Sequence, residues 1–304
     1  MKELQEKLGF FRGRKGKQRL FILSMLAIPT LHFIVFWLWV NIDGLLLPFR
    51  NNVGDWIGWK NFEWVIATFK GTNKYLDMTE ATRNTLIFFS WGLFVEMPIS
   101  VVLAYTFYKN LPGNKFFTIC LYLPSIITGT VMTTIFKNFL SADGPIALIY
   151  AAQGKQWIYP ITQEGRSIPA MLAYDFWNGY GLNIILFHSS MKRIPKELFE
   201  SASLDGITLW KELTQMIVPL IWPILSTKLI LSVAGVFGAS GPILLFTNGE
   251  YGTQTIGFAM YQQYKEYGQI ARAATIGFIF TMISLPLVFV TRWAASKMGG
   301  EYEY

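Results

Sequence analysis

From Leu20 to Val40 the chain reads LFILSMLAIPTLHFIVFWLWV, without an aspartate, glutamate, lysine or arginine. Such a run leaves few folding options. A helix rises about 1.5 Å per residue and the hydrocarbon layer of a bilayer is about 30 Å thick, so roughly twenty apolar residues cross it once. A water-soluble core seldom has room for so long a stretch. Runs of the same kind occupy Thr85 to Tyr108, Phe116 to Phe139, Ile168 to Met191, Ile217 to Ser240 and Ala273 to Trp293. Together they predict an all-α integral membrane protein with six transmembrane helices. Only 15% of the residues are charged, against about a quarter in a soluble domain. The first run is too long for a secretory signal, and WVNIDG rather than a small-residue cleavage site follows it, so it reads as an uncleaved span.

Lysine and arginine near span ends set orientation, because they are retained on the cytoplasmic side. Lys2, Lys7, Arg12, Arg14, Lys15, Lys17 and Arg19 precede the first span. Lys109 and Lys115 flank the second loop, Lys192, Arg193, Lys196 and Lys211 fall in the fourth, and Arg292 and Lys297 follow the last span. With an even number of spans all four groups land on one face. The chain thus divides into a basic cytoplasmic segment (1–19), a transmembrane domain (20–296) and a cytoplasmic tail (297–304). The opposite loops, Asn41 to Asn84, Leu140 to Ser167 and Gly241 to Arg272, are rich in Gly, Trp, Tyr and Asn and are expected to fold.

The net charge of +7 does not point to nucleic acid, since the basic residues sit beside apolar runs and not in one patch interleaved with stacking aromatics. Catalysis has little to stand on. There are two histidines and one cysteine, Cys120, inside an apolar run, and neither G-x-S-x-G nor H-E-x-x-H occurs. No catalytic residue and no metal site is expected. The G-x-x-x-x-G-K-[ST] phosphate loop is also missing, so the chain is not itself an ATPase of that class.

One loop is out of character with its surroundings: MKRIPKELFESASLDGITLWKELTQMIVP, between two of the most apolar segments (about 192–219). Pro195 suits a first helical turn, and Glu197 and Glu200 favour the positive end of a helix. Leu198, Phe199 and Ala202 gather on one side, and Gly206 ends the helix by taking the left-handed conformation open to glycine. Thr208 is placed to cap a second helix, whose Leu209, Leu213, Met216 and Leu220 recur at helical spacing. Two readings fit: an interfacial elbow on the headgroups, or a helix that docks on another protein. Acidic residues disfavour an anionic lipid surface, and the small Ser201, Ala202 and Ser203 admit a close partner.

The same stretch resembles the EAA loop of permease subunits of bacterial ATP-binding cassette importers. Glu200, Ala202, Asp205, Gly206 and Pro219 match the pattern directly; Ser201 replaces an alanine, Met216 an isoleucine and Val218 a leucine. RNTLIFFS (83–90), LPSIITGTVMTTIF (123–136), DFWNGYGLNIILFHSSMKRIPKEL (175–198) and the segment from FTNGEYGTQT to IARAATIGFI resemble the carbohydrate-uptake type, relatives of the larger maltose-transporter membrane subunit. The chain departs from that pattern at Glu250-Tyr251, where a Gly-Pro pair is common. The resemblance implies a type I importer permease in the bacterial cytoplasmic membrane that heterodimerises with a second permease. Two ATPase subunits would hold the ATP and magnesium, an extracytoplasmic solute-binding protein would deliver a sugar, and the chain itself would need no cofactor. Glu200 would orient a coupling helix in the ATPase, Gly206 would break it, and Pro219 would set the angle into the fifth span.

Polar residues at membrane depth are costly and often mark a path. Glu96, Asp175, His188 and Lys228 qualify, although each also fits a packing or interfacial role. In the fourth span Tyr174, Asp175, Trp177, Asn178, Tyr180 and Asn183 combine flat rings with polar tips, as a sugar requires. Thr130, Thr133 and Ser232 would add hydroxyls from neighbouring spans. An aromatic belt at the outer surface accounts for Tyr174 and Trp177 as well. The rival classes are a permease for peptides, amino acids or glycerol phosphate, a stand-alone channel or secondary transporter, and an intramembrane enzyme.

Overall fold

A computed structural model describes residues 14–71, 76–110, 113–238 and 242–298. Lys2, Lys7, Arg12, Ser240 and most of the 297–304 tail lie outside them. Among the described residues the chain is helical, with one isolated antiparallel bridge between Arg50 and Trp56.

Backbone polar groups in lipid have no water to bond, so each crossing must close its own hydrogen bonds as a helix. The first apolar run forms α1 (Arg14–His32) and α2 (Trp39–Leu46), joined by a wider π-helical turn, Phe33–Leu38. This unit ends on Phe49, whose ring meets Phe278 edge-on at 6.1 Å. After α3 (Lys60–Phe69), the second crossing combines α4 (Met78–Trp91), a π turn at Gly92–Glu96 and α5 (Met97–Tyr108). The π turn ends two residues before Pro98, which lacks the N–H an unbroken α-helix would use.

The third expected crossing, Phe116 to Phe139, is not one helix. α6 (Asn114–Ile126) and α7 (Gly129–Leu140) are separated by Ile127 and Thr128 in extended conformation. The two halves are bent by 107°, counting α8 (Pro145–Ala152) with the second. The sequence PSIITG explains the break: β-branched residues and a glycine cluster where Pro124 has already removed a donor.

The fourth is a helix pair, α9 (Ser167–Asn178) and α10 (Tyr180–Met191), meeting at Gly179. α11 (Lys196–Leu204) comes next, then α12 (Leu209–Lys211), a π turn at Glu212–Ile217, and α13 (Val218–Leu220). α14 (Trp222–Ala234) departs from the α12–α13 segment at 71°, with the turn at Ile221 between Pro219 and Pro223. The fifth expected crossing, Ile217 to Ser240, is therefore a shorter helix with a bent approach. α15 (Ile243–Phe246) and α16 (Ile256–Lys265) lie in the last long loop, and α17 (Ile270–Met298) is continuous through Pro286. Of the six expected crossings, three helices among the described residues can cross a membrane alone by length and composition, and up to five if each bent pair is one crossing; the jointed pair over 167–191, the fourth crossing by its place in the chain, is not among these.

Three apolar clusters hold the bundle. One joins α5 and α10 to Leu213, Ile217, Ile221 and Leu225. A second joins α3, α4, α16 and α17 around Met78, Ala259 and Ile276. The third, around Met171, Ile243 and Phe258, joins α7, α9, α15 and α16. α10 approaches α6 so closely at Gly181 that a Cβ there would overlap the Ser125 side chain.

Polar ties fix the end remote from α11. Buried Asn84 donates to the carbonyls of Gly252 and Gln254, both at 2.9 Å, while the Thr85 hydroxyl accepts from the Ile256 N–H at 3.0 Å. They pin a turn in which Asn248, Gly249, Tyr251 and Gly252 all have positive φ. Left-handed backbone at Tyr251 is uncommon for a bulky side chain, and it falls where the sequence departs from the family pattern. Replacing Asn84 with Leu removes two buried hydrogen bonds and is expected to cost about 1–3 kcal/mol, seen as a lower melting temperature of the purified protein.

Candidate functional site

A cavity of about 450 Å³ opens between the second, fourth and fifth crossings. Three helical stripes build it. Thr85, Phe89, Gly92 and Glu96 come from the second crossing, Asp175, Gly179 and Asn183 from the fourth, and Lys228, Ser232 and Gly235 from the fifth. Spacings of three and four residues place each set on one face of its helix. The wall is mostly apolar, with Thr85, Glu96, Asp175, Asn183, Lys228, Ser232 and Thr255 as its polar side chains among Phe88, Leu93, Met97 and Leu231. An apolar hollow with a few convergent polar groups is the usual form of a small-molecule site.

Gly179 is required by its neighbours. A Cβ there would lie 2.7 Å from the Asp175 carbonyl oxygen and 3.0 Å from Glu96 Oε2. The Glu96 carboxylate therefore rests against the joint between α9 and α10. Asn183 donates weakly back to the Gly179 carbonyl, at 3.5 Å.

Of the path residues expected from sequence, Asp175, Asn183 and Ser232 line this cavity and the others do not. Tyr174 and Thr133 are buried together, their hydroxyls 3.4 Å apart, in the cluster that also contains Phe246. Trp177 stacks on Phe136 at 5.9 Å and is partly exposed. Asn178 has its Oδ1 buried without a partner among the described residues. Tyr180 packs into the α5–α10 cluster, and Thr130 is exposed on α7. His188 is half-buried outside the cavity. Glu96 and Lys228 belong to the cavity. The signal that identifies this set is the i, i+4 series Asp175–Gly179–Asn183, which excludes Tyr174, Trp177 and Tyr180 from the same face.

The charged loop forms a second feature. Pro195 precedes α11 with non-helical backbone, and no residue of α11 is fully buried. Glu200, Ser201 and Ser203 are exposed, Ala202 is half-buried, and Leu204 is 89% exposed. The helix ends in a Schellman arrangement: the Ile207 N–H donates to the Ala202 carbonyl at 3.3 Å and the Gly206 N–H to that of Ser203 at 3.1 Å. Gly206 has φ +70°, as this cap demands, with Asp205 as the C-cap residue. The Thr208 hydroxyl accepts from the Lys211 N–H at 3.5 Å. The π turn rotates its own residues relative to α12, so Glu212, Leu213 and Ile217 are buried while Met216 and Pro219 are only partly covered and Leu209 is exposed.

The cavity, the broken crossings and the exposed capped helix are joined by a family match. Residues 96–299 fit the family described as binding-protein-dependent transport system inner membrane component. The chain belongs to this family. It is a transport subunit of a multi-pass inner-membrane permease, and the ATPase is a separate chain. The arabino-oligosaccharide transport system permease protein AraP of Bacillus subtilis is 24% identical over 90% of this chain and 87% of its own length. The multiple sugar-binding transport system permease protein MsmF of Streptococcus mutans is 23% identical, covering 90% and 94%. A bacterial transporter that imports the acidic polysaccharide alginate superposes with a TM-score of 0.79 at 22% identity, over 93% of this chain and 98% of that one.

Gly206 is the position where the loop geometry is most easily tested. Gly206→Val places a β-branched residue in left-handed backbone, at a cost of about 1–2 kcal/mol. Transport is expected to collapse while the amount inserted in the membrane stays at the wild-type level, measured by uptake and by immunoblot of membrane fractions.

Proposed function

We propose that the chain is one of two permeases of an ATP-binding cassette importer for a mono- or oligosaccharide, delivered by an extracytoplasmic solute-binding protein. The observation that carries the sugar reading is the cavity among Glu96, Asp175, Asn183, Lys228 and Ser232, which sets hydrogen-bonding groups against Phe88 and Phe89. Saccharides present hydroxyls at their edges and C–H groups on their faces, and both surfaces find counterparts there. The sugar-transport names of AraP and MsmF support the same class. A related alginate transporter has been crystallised with a pentasaccharide-bound periplasmic protein, which supports delivery by a separate binding protein.

In this reading α11 is the coupling helix. Glu200, Ser201, Ala202, Asp205 and Gly206 meet one ATPase, and Met216 and Pro219 lead its motion into the fifth crossing. Closure of two ATP- and magnesium-bound ATPases moves the coupling helices together, so that the cavity opens alternately to the two sides. In this reading the basic residues near α11, the basic stretch before the first crossing and the tail after the last one face the cytoplasm. Lys109 lies on the α11 side through its pairing with Glu212, and Ala295 near the end of α17 accepts from Trp222 Nε1 at 2.9 Å on that side.

The test is reconstitution in proteoliposomes with the partner permease, ATPases and binding protein, using labelled arabino-oligosaccharides, lactose, trehalose and a dipeptide as probes. ATP-dependent accumulation of a saccharide that requires the binding protein is expected. Uptake of the dipeptide alone would overturn the sugar assignment, and uptake without ATP would overturn the importer reading.

A further inference from the structure

The underside of α11 makes an arrangement that the docking role does not require. Its Phe199 ring packs on Tyr108, at the end of α5, with centroids 5.1 Å apart. The next residue, Lys109, holds its ammonium 5.4 Å from the centre of the Phe199 ring and 5.7 Å from that of Tyr105. The same Nζ pairs with Glu212 Oε1 at 2.6 Å. The Glu212 side chain is only 8% exposed and that of Lys109 28%. Glu212 opens the π turn that runs through Leu213 and Ile217, both buried in the α5–α10 cluster. One ammonium thus touches three elements that sequence separates: the end of the second crossing, the docking helix and the bent approach to the fifth.

A carboxylate this buried needs a counter-charge, because removing one partner leaves an uncompensated ion where water cannot reach it. The rings add a second hold, since a cation over an aromatic face is attracted most strongly when little water intervenes. α11 itself has no fully buried residue. Its orientation relative to α5 therefore depends on Phe199, and Phe199 is held between Tyr108 and the Lys109–Glu212 pair.

We infer that Lys109 and Glu212 form an electrostatic latch that makes α11, the end of the second crossing and the start of the fifth move as one body. Lys109 and Glu212 are positioning residues, because they act through Phe199 and the π turn and not on solute or nucleotide. The latch rests on the reading of α11 as the ATPase-docking helix. It adds that the second crossing, which carries Glu96 of the cavity, is driven directly from α11 and not only through Pro219 and the fifth crossing.

The test uses the assembled transporter with its ATPases, in a background where Cys120 is Ser. Spin labels at Lys196→Cys on α11 and Val102→Cys on α5 report their separation, without nucleotide and after trapping with ATP and vanadate. In the otherwise native complex one narrow distance is expected in both states. K109E is expected to broaden or shift it on trapping, because α11 then moves without α5. K109R and the swapped K109E/E212K pair are expected to restore the single distance, which a merely structural lysine would not do. If K109E does not assemble, E212Q removes the charge at nearly constant size and is read in the same way. A distance in K109E or E212Q that stays narrow and unchanged overturns the latch. A second pair, Lys196→Cys with a single cysteine beside the cleft of the ATPase, keeps the two ideas apart: no short distance in the native complex overturns the docking role of α11, whereas a short distance there with an unaffected K109E overturns the latch alone.

Discussion

The absence of water in the hydrocarbon layer governs this molecule. A backbone there must be helical, and wherever a crossing departs from a regular helix the freed groups have to be covered by protein or to line a cavity. The departures are specific. The second crossing widens at Gly92–Glu96, the fourth is jointed at Gly179, and the fifth is approached through a bend at Ile221. Glu96 and Gly179 meet at the cavity, with Lys228 on the third wall. At Gly92–Glu96 and at Gly179 irregular backbone and polar side chains occur together at the cavity, whereas the π turn at Phe33–Leu38 and the break at Ile127–Thr128 lie outside it.

The other half of the design lies outside the membrane. α11 carries its apolar Leu204 into the open and has no fully buried residue, which is wasteful for a lone protein and sensible for one that meets a partner. Its geometry is set locally, by Pro195 before it and the left-handed Gly206 after it. Its link to the rest of the chain is narrow, through Phe199, Tyr108, Lys109 and Glu212.

The sequence makes some of this plain and hides the rest, for physical reasons. The EAA-type loop is legible because its determinants are local: a proline, a glycine and a capping threonine act on their own neighbours. The break at Ile127–Thr128 is missed because mean hydropathy continues smoothly across it, and only the run of β-branched residues before Gly129 hints at the bend. Helix rotation is a tertiary property. Tyr180 and Asn183 look equivalent as polar residues of one span, yet packing turns the first into the α5–α10 cluster and the second into the cavity. The Asn84 bonds to Gly252 and Gln254 join segments far apart in the chain, which no local pattern reveals.

In the proposed mechanism, α11 is the part of this subunit that an ATPase grips. The most direct measurement of this is cross-linking from Ser203→Cys, in a Cys120→Ser background, to single cysteines around the cleft of the ATPase in native membranes. An efficient cross-link is expected, with a yield that changes when ATP and vanadate are added. A cysteine at 203 that remains freely reactive to a water-soluble maleimide in the assembled complex, and joins no ATPase position, would contradict it.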